Sequence, residues 1–138
     1  MKHQNINDLG AVAEIVQLDI LKNRKMSRRE RLERWADVLD QNPGKLNALT
    51  RVEYLTRAER PGARADNSPL EVAFKDPVLR RDGLAGDRLG DAMAYFDISD
   101  RHAHRLLCDC HYSGSMTGPG LAARLRRLAQ GGIRAWFA

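Results

Sequence analysis

The segment 102–111 contains three of the four histidines of the chain and both of its cysteines. On a helix with about 100° per residue, His104, Cys108 and His111 would fall within about 60° of one another. Imidazole nitrogen and thiolate sulfur are the ligands that zinc prefers. The spacing therefore indicates a possible zinc site on one face of a helix spanning 100–112, although it matches neither a CxxC pair nor an HExxH helix.

Two other interpretations of this segment are open. A thiol beside an imidazole can become a nucleophile, which would pair Cys108 with His104 or His111. No nucleophile elbow or glycine-rich oxyanion loop accompanies that pair, and the sequence therefore favours a non-catalytic protein. In the structural interpretation these side chains are half exposed at the border of an apolar face and bind nothing. That inward face would consist of Ala103, Leu106, Leu107 and Cys110.

Residues 89–107 follow the pattern of a helix-turn-helix, in which one helix supports a second helix that enters the major groove. Phe96 and Ile98 would flank the turn, and Ala103 and Leu106 would hold the second helix against the first. That packing predicts an outward basic face on the second helix, made of Arg101, His102 and Arg105.

Two acidic residues count against this motif. Asp97 occupies the turn position where glycine is usual, and Asp100 at the start of the second helix would repel phosphate. Any helical hairpin produces the same apolar spacing, so an ordinary αα-corner is the competing interpretation.

The basic character of the chain is concentrated near its end. The formal net charge is +5, and residues 101–138 contain six arginines against Asp109 alone, whereas residues 1–100 are balanced. Arg124 and Arg127 flank the last predicted helix and could extend a phosphate-attracting surface. A second basic run, 22–34, could add to it, although arginine-rich helices often only solvate their outer face.

Helix-start signals determine the predicted fold. A first helix is expected over 6–23, and capping residues with a carboxylate or proline after them mark later starts. We expect an all-α, compact, bundle-like single domain over 1–138, with five to seven helices, a loop-rich stretch over 43–68 and a C-terminal three-helix cluster. The later start signals lie at Ser27, Ser68, Asp76, Asp87, Ser99 and Thr117.

Composition narrows the class of protein. Hydrophobic residues make up 43 % and charged residues 30 % of the 138-residue chain, which is typical of a globular domain. Neither a membrane span nor a signal peptide is evident, so we expect a cytoplasmic protein without membrane association. Three large apolar residues near the end, Ile133, Trp136 and Phe137, either close the core or bind a protein partner or a second copy.

From these patterns we expect one of three functions. A non-catalytic binding or regulatory module is the leading expectation, with no cofactor. Nucleic-acid binding through the 89–107 hairpin is the alternative, and metal binding through the His/Cys face of helix 100–112, with zinc as the metal, comes third.

Overall fold

Short-range capping interactions determine where the helices begin. The computed structural model describes residues 25–108, 112 and 116–131. The helix predicted over 6–23, His111 and the apolar tail over 133–138 lie outside the described residues. The described part forms six α-helices, which confirms the all-α prediction; they are α1 (Arg28–Asp40), α2 (Pro69–Lys75), α3 (Pro77–Asp82), α4 (Leu89–Phe96), α5 (Asp100–Leu107) and α6 (Gly118–Gln130).

Five of the predicted N-caps are confirmed. The Ser27 hydroxyl accepts from the backbone N–H of Glu30, and the Glu30 carboxylate accepts from the backbone N–H of Ser27. The prediction for α4 is wrong by one residue, because the N-cap is Arg88 and not Asp87. There the Asp91 carboxylate accepts from the Arg88 backbone N–H at 3.2 Å, so the carboxylate within the first turn sets the start. The other confirmed caps are Ser68, Asp76, Ser99 and Thr117.

The stretch between α1 and α2 contains little regular structure. It holds strand β1 (Lys45–Leu46) and two 3-10 turns, Val52–Tyr54 and Arg60–Gly62. Strand β1 pairs antiparallel with strand β2 (Met116–Thr117), with Lys45 opposite Thr117 and Leu46 opposite Met116. The sequence did not predict this pair, since two residues are too few to show strand periodicity.

The core of the described part is built around the close packing of α1 and α6. Apolar residues of both helices belong to one buried cluster that also includes the inward faces of the other four helices. Gly118 lies at the crossing, where its backbone comes so near the carbonyls of Leu39 and Asn42 that a β-carbon would overlap them. The C-terminal helices are therefore held together with α1 and not only with each other.

Both ends of α3 are anchored to α1 by buried carboxylates. Arg34 forms two hydrogen bonds with Asp76, at 3.0 Å from Nε and 2.6 Å from Nη2. One turn earlier, Arg31 donates from Nε to Asp82 at 2.7 Å. These arginines are three residues apart and hence on one side of α1, so α3 is fixed across that side.

None of the helices in the described ranges combines the length and the apolar character that crossing a membrane requires.

Candidate nucleic-acid interface

Helices α4 and α5 form a hairpin with a three-residue turn, 97–99. The turn closes when the backbone N–H of Ile98 donates to the carbonyl of Met93 at 3.1 Å. Phe96 and Ile98 are both buried at the turn, 0 % and 4 % exposed. The Ser99 hydroxyl then accepts from the backbone N–H of His102 and starts α5. The hairpin therefore has the turn and the buried positions that the sequence predicted, but its second helix is shorter than predicted and ends at Leu107.

Asp97 adopts the conformation for which glycine is usually required. Its φ and ψ are 52° and 58°, in the left-handed region, where aspartate is among the few residues tolerated. Its carbonyl accepts a hydrogen bond from Arg28 Nε at 3.0 Å, which ties the turn to the start of α1. The turn therefore accommodates an aspartate at the position where glycine is usual.

Helix α5 has two distinct faces. Ala103, Leu106 and Leu107 are buried in the core at 1 %, 8 % and 1 % exposure. The opposite face presents the predicted basic residues to solvent, since Arg101, His102 and Arg105 are all exposed. Within the part of the chain that the structure describes, none of these three side chains forms an ion pair. The outer face of α5 therefore presents basic side chains that are exposed to solvent.

Helix α1 supports the hairpin from behind. The Trp35 ring stacks on Phe96 with centroids 4.3 Å apart and planes 16° apart, an arrangement that adds to the burial of both rings. The Trp35 indole N–H donates to the Pro69 carbonyl at 3.0 Å, so its polar atom is satisfied inside the core. The hairpin is therefore packed against α1, which is itself hydrogen-bonded to α2.

The carboxylate of Asp100 is neutralised by a residue far away in sequence. Arg60 Nη1 lies 2.7 Å from Asp100 Oδ2. This ion pair answers the second objection, because the negative charge at the start of α5 is matched by a guanidinium. The same arginine lines a shallow groove of about 410 Å³ beside α5, together with Glu53, Asp100, Arg101, His104 and Arg105.

The two α6 arginines of the predicted surface have different environments. Arg124 lies over the Tyr112 ring at 4.9 Å from its centroid and donates to the Tyr112 hydroxyl at 3.1 Å. Burial raises the pKa of Tyr112, and Arg124 opposes that shift only in part. Arg124 also reaches the Arg105 carbonyl at 3.3 Å, so it secures the end of α5. Arg127 is exposed on α6 and does not line the groove.

The predicted His/Cys face is not formed as a helical face. Helix α5 ends at Leu107, and Cys108 has extended backbone angles of −94° and 144°, so the expected helix to residue 112 is wrong beyond Leu107. The chain leaves the helix because it bridges to the loop: the Leu49 N–H donates to the Leu107 carbonyl at 2.8 Å. Cys108 is fully buried, whereas the structural interpretation placed it half exposed.

The helical geometry from which zinc binding was predicted is therefore not formed between His104 and Cys108, and zinc binding remains a prediction. His104 and Cys108 do not share a helix face, and the third residue, His111, is outside the described ranges. Among the described residues, no three His, Cys, Asp or Glu side chains cluster in a way that could hold a metal ion.

A buried charged cluster is centred on Asp82, which is 5 % exposed, and no local sequence pattern indicates it. Its carboxylate accepts from the Met26 backbone N–H at 2.9 Å, from Arg31 and from the Tyr95 hydroxyl at 2.7 Å. Burial alone would raise the pKa of Asp82, but these hydrogen bonds outweigh it and the pKa is lowered. Burial and the hydrogen bond to Asp82 raise the pKa of Tyr95. Each of these hydrogen bonds joins Asp82 to a different segment of the chain, which fits a structural role.

In comparisons with known proteins, the chain matches no family model, no curated protein and no solved structure.

Proposed function

We propose that this protein is a non-catalytic nucleic-acid-binding module that presents α5 to a duplex. The observation that carries the proposal is the two-sided character of α5 within a braced hairpin. Three apolar residues fix its inner face in the core, and Arg101, His102 and Arg105 project from its outer face. A helix of this kind fits the major groove, whose width of about 12 Å admits an α-helix.

The two features that opposed this function in the sequence have structural partners. Asp97 takes the left-handed turn conformation, and its carbonyl is bound by Arg28. Asp100 is paired with Arg60. An ordinary αα-corner needs neither an arginine partner for Asp100 nor, on the outer face of its second helix, three exposed basic side chains without ion pairs in the described part of the chain. These details support nucleic-acid binding over a generic helical corner.

Each basic residue has a distinct expected role. Arg101 and His102 lie in the first turn of α5, which is the part of a recognition helix that reaches base edges. Arg105 follows Arg101 by one turn and lies on the same side. A guanidinium can make paired hydrogen bonds to guanine or bind phosphate oxygens, so these arginines can contribute to sequence preference and to general affinity.

The direct test is oligonucleotide binding by an Arg101→Ala/Arg105→Ala variant. Fluorescence anisotropy with a pool of randomised 20-base-pair duplexes measures affinity between 50 and 200 mM KCl, roughly the range over which phosphate contacts change affinity most visibly. The wild type should bind with a steep salt dependence. The double variant should bind at least about tenfold more weakly, because a single lost base contact already costs about 1–3 kcal/mol.

The matched control is Arg80→Ala/Arg81→Ala, which removes the same charge from exposed positions on α3. This control should lose little affinity if binding is localised to α5. Equal losses in both double variants would mean that only net charge matters, and absence of salt-dependent binding by the wild type would refute the proposed function.

A further inference from the structure

The groove beside α5 is assembled from two parts of the chain that are held rigidly together. The 3-10 turn Arg60–Gly62 packs on α4, with Pro61 so close to Gly90 that there is no room for a β-carbon on that glycine. The Leu89 N–H donates to the Ala63 carbonyl at 2.8 Å, which fastens the end of this turn to the start of α4. Arg60 is thereby placed beside the hairpin by backbone packing and not by its own flexible side chain.

Arg60 has more hydrogen-bonding capacity than its known partner uses. A guanidinium has five N–H donors, and one nitrogen of Arg60, Nη1, donates to Asp100. Its Nε is buried and has no hydrogen-bond acceptor among the described residues, while the side chain as a whole remains 31 % exposed. The Nη donors that Asp100 does not use can therefore bind an oxygen-rich anion at the groove without any rearrangement of the loop, whereas the buried Nε is not reached by it.

The charges of the groove select the kind of anion. Three arginines, Arg60, Arg101 and Arg105, line it against two carboxylates, Glu53 and Asp100, and His104 completes the lining. The arginines and carboxylates together sum to one positive charge. A phosphodiester carries one negative charge, so it matches the groove, whereas a free phosphate dianion would leave an excess of negative charge next to two carboxylates.

We infer that this groove binds a single backbone phosphodiester of the nucleic acid that contacts α5, with Arg60 as a binding residue supplied from outside the hairpin. The inference rests on the proposed function and adds to it a contact that the hairpin alone cannot make. Arg60 acts as a direct phosphate ligand, and Asp100 competes with the phosphate for its guanidinium.

The test compares Arg60→Gln with Arg57→Gln, which removes an exposed arginine that belongs to the same loop but does not line the groove. Affinity for one 20-base-pair duplex is measured against KCl concentration. Arg60→Gln should lower the slope of log affinity against log salt by about 0.9, the value of one phosphate contact, and weaken binding several-fold at low salt. Arg57→Gln should leave both quantities near the wild-type values.

A double-mutant cycle with Asp100→Asn separates a ligand role from a purely structural ion pair. If Asp100 competes with phosphate, Asp100→Asn should tighten binding more in the wild type than in the Arg60→Gln background. Equal tightening in both backgrounds, or an unchanged salt slope in Arg60→Gln, would overturn the inference while Arg101→Ala/Arg105→Ala still tests the proposed function.

Free phosphate is examined in a separate arm. The melting temperature of the wild type is measured in about 10 mM inorganic phosphate and, for comparison, in chloride. Both solutions have an ionic strength of about 0.1 M, where the Debye length is about 10 Å. No difference is expected for a site matched to a diester. Stabilisation by phosphate that is lost in Arg60→Gln, without any effect of Arg60→Gln on duplex binding, would identify a free-phosphate site instead and overturn the inference.

Discussion

The close approach of α1 and α6 at Gly118 gives a sharp test of the packing. In Gly118→Ala the new β-carbon would overlap the backbone carbonyl oxygens of Leu39 and Asn42. Because these atoms are backbone and not the end of a flexible side chain, the helices must separate to accommodate the methyl group. Overpacking costs about 1–3 kcal/mol, and overlap with two backbone oxygens places this variant near the upper end. Alanine recovers at most about 1 kcal/mol of helix propensity.

We therefore expect Gly118→Ala to lower the free energy of unfolding by about 2 kcal/mol, a large fraction of the 5–15 kcal/mol typical of a domain. The corresponding fall in melting temperature is about 8 °C for a chain of this size. Urea unfolding, followed by the helical circular dichroism signal at about 222 nm, measures the free energy of unfolding and its dependence on urea concentration. That dependence should be the same in the variant and the wild type.

The control for this prediction is Gly44→Ala, since a β-carbon at Gly44 would meet nothing within 4 Å. That variant should stay within about 0.5 kcal/mol of the wild type. If Gly118→Ala unfolds within the same margin as Gly44→Ala, the helices are not in contact at Gly118 and the reasoning about the core is refuted.

Two further predictions concern stability. Asp82→Asn should cost about 3 kcal/mol at pH 7, because it removes the buried negative charge that pairs with Arg31 and replaces one of the two acceptor oxygens with an NH2 donor. Since the folded pKa of Asp82 lies below its ordinary value, the advantage of the wild type is complete above about pH 5 and falls away as the pH drops through that folded pKa. The difference in urea midpoint between the two proteins should therefore be smaller at pH 3 than at pH 7, and a constant difference would contradict the assigned role. Ser27→Ala should cost about 1 kcal/mol through loss of the α1 cap, and Ser27→Asp should restore most of it; thermal unfolding measures both, and equal loss in the two variants would argue against the cap.

Helix starts were predictable because their determinants lie within one turn. At Ser27 the hydroxyl and the partner carboxylate of Glu30 are three residues apart, and the same local chemistry holds at Ser99 and Thr117. Such a signal can be read without knowledge of the tertiary fold. The outward face of α5 was predictable for a similar reason, since apolar spacing alone assigns its inner face.

The features that the sequence did not predict depend on distant residues. Asp100 and Arg60 are 40 positions apart, and Arg28 reaches the Asp97 carbonyl across 69 positions. Both acidic residues seemed to oppose the hairpin because their partners could not be identified from local sequence. The end of α5 also depends on a distant residue. The Leu107 carbonyl accepts a hydrogen bond from the Leu49 N–H, and the chain at Cys108 is extended instead of helical.

The separation of α5 into a buried and an exposed face has an evolutionary consequence. Substitutions at Arg101, His102 or Arg105 change the chemistry that the helix offers to a partner without entering the core. The inner face and the Trp35 stack keep the helix in place while the outer positions vary. If α5 binds nucleic acid as proposed, single substitutions on its outer face can change the binding preference while the protein stays folded.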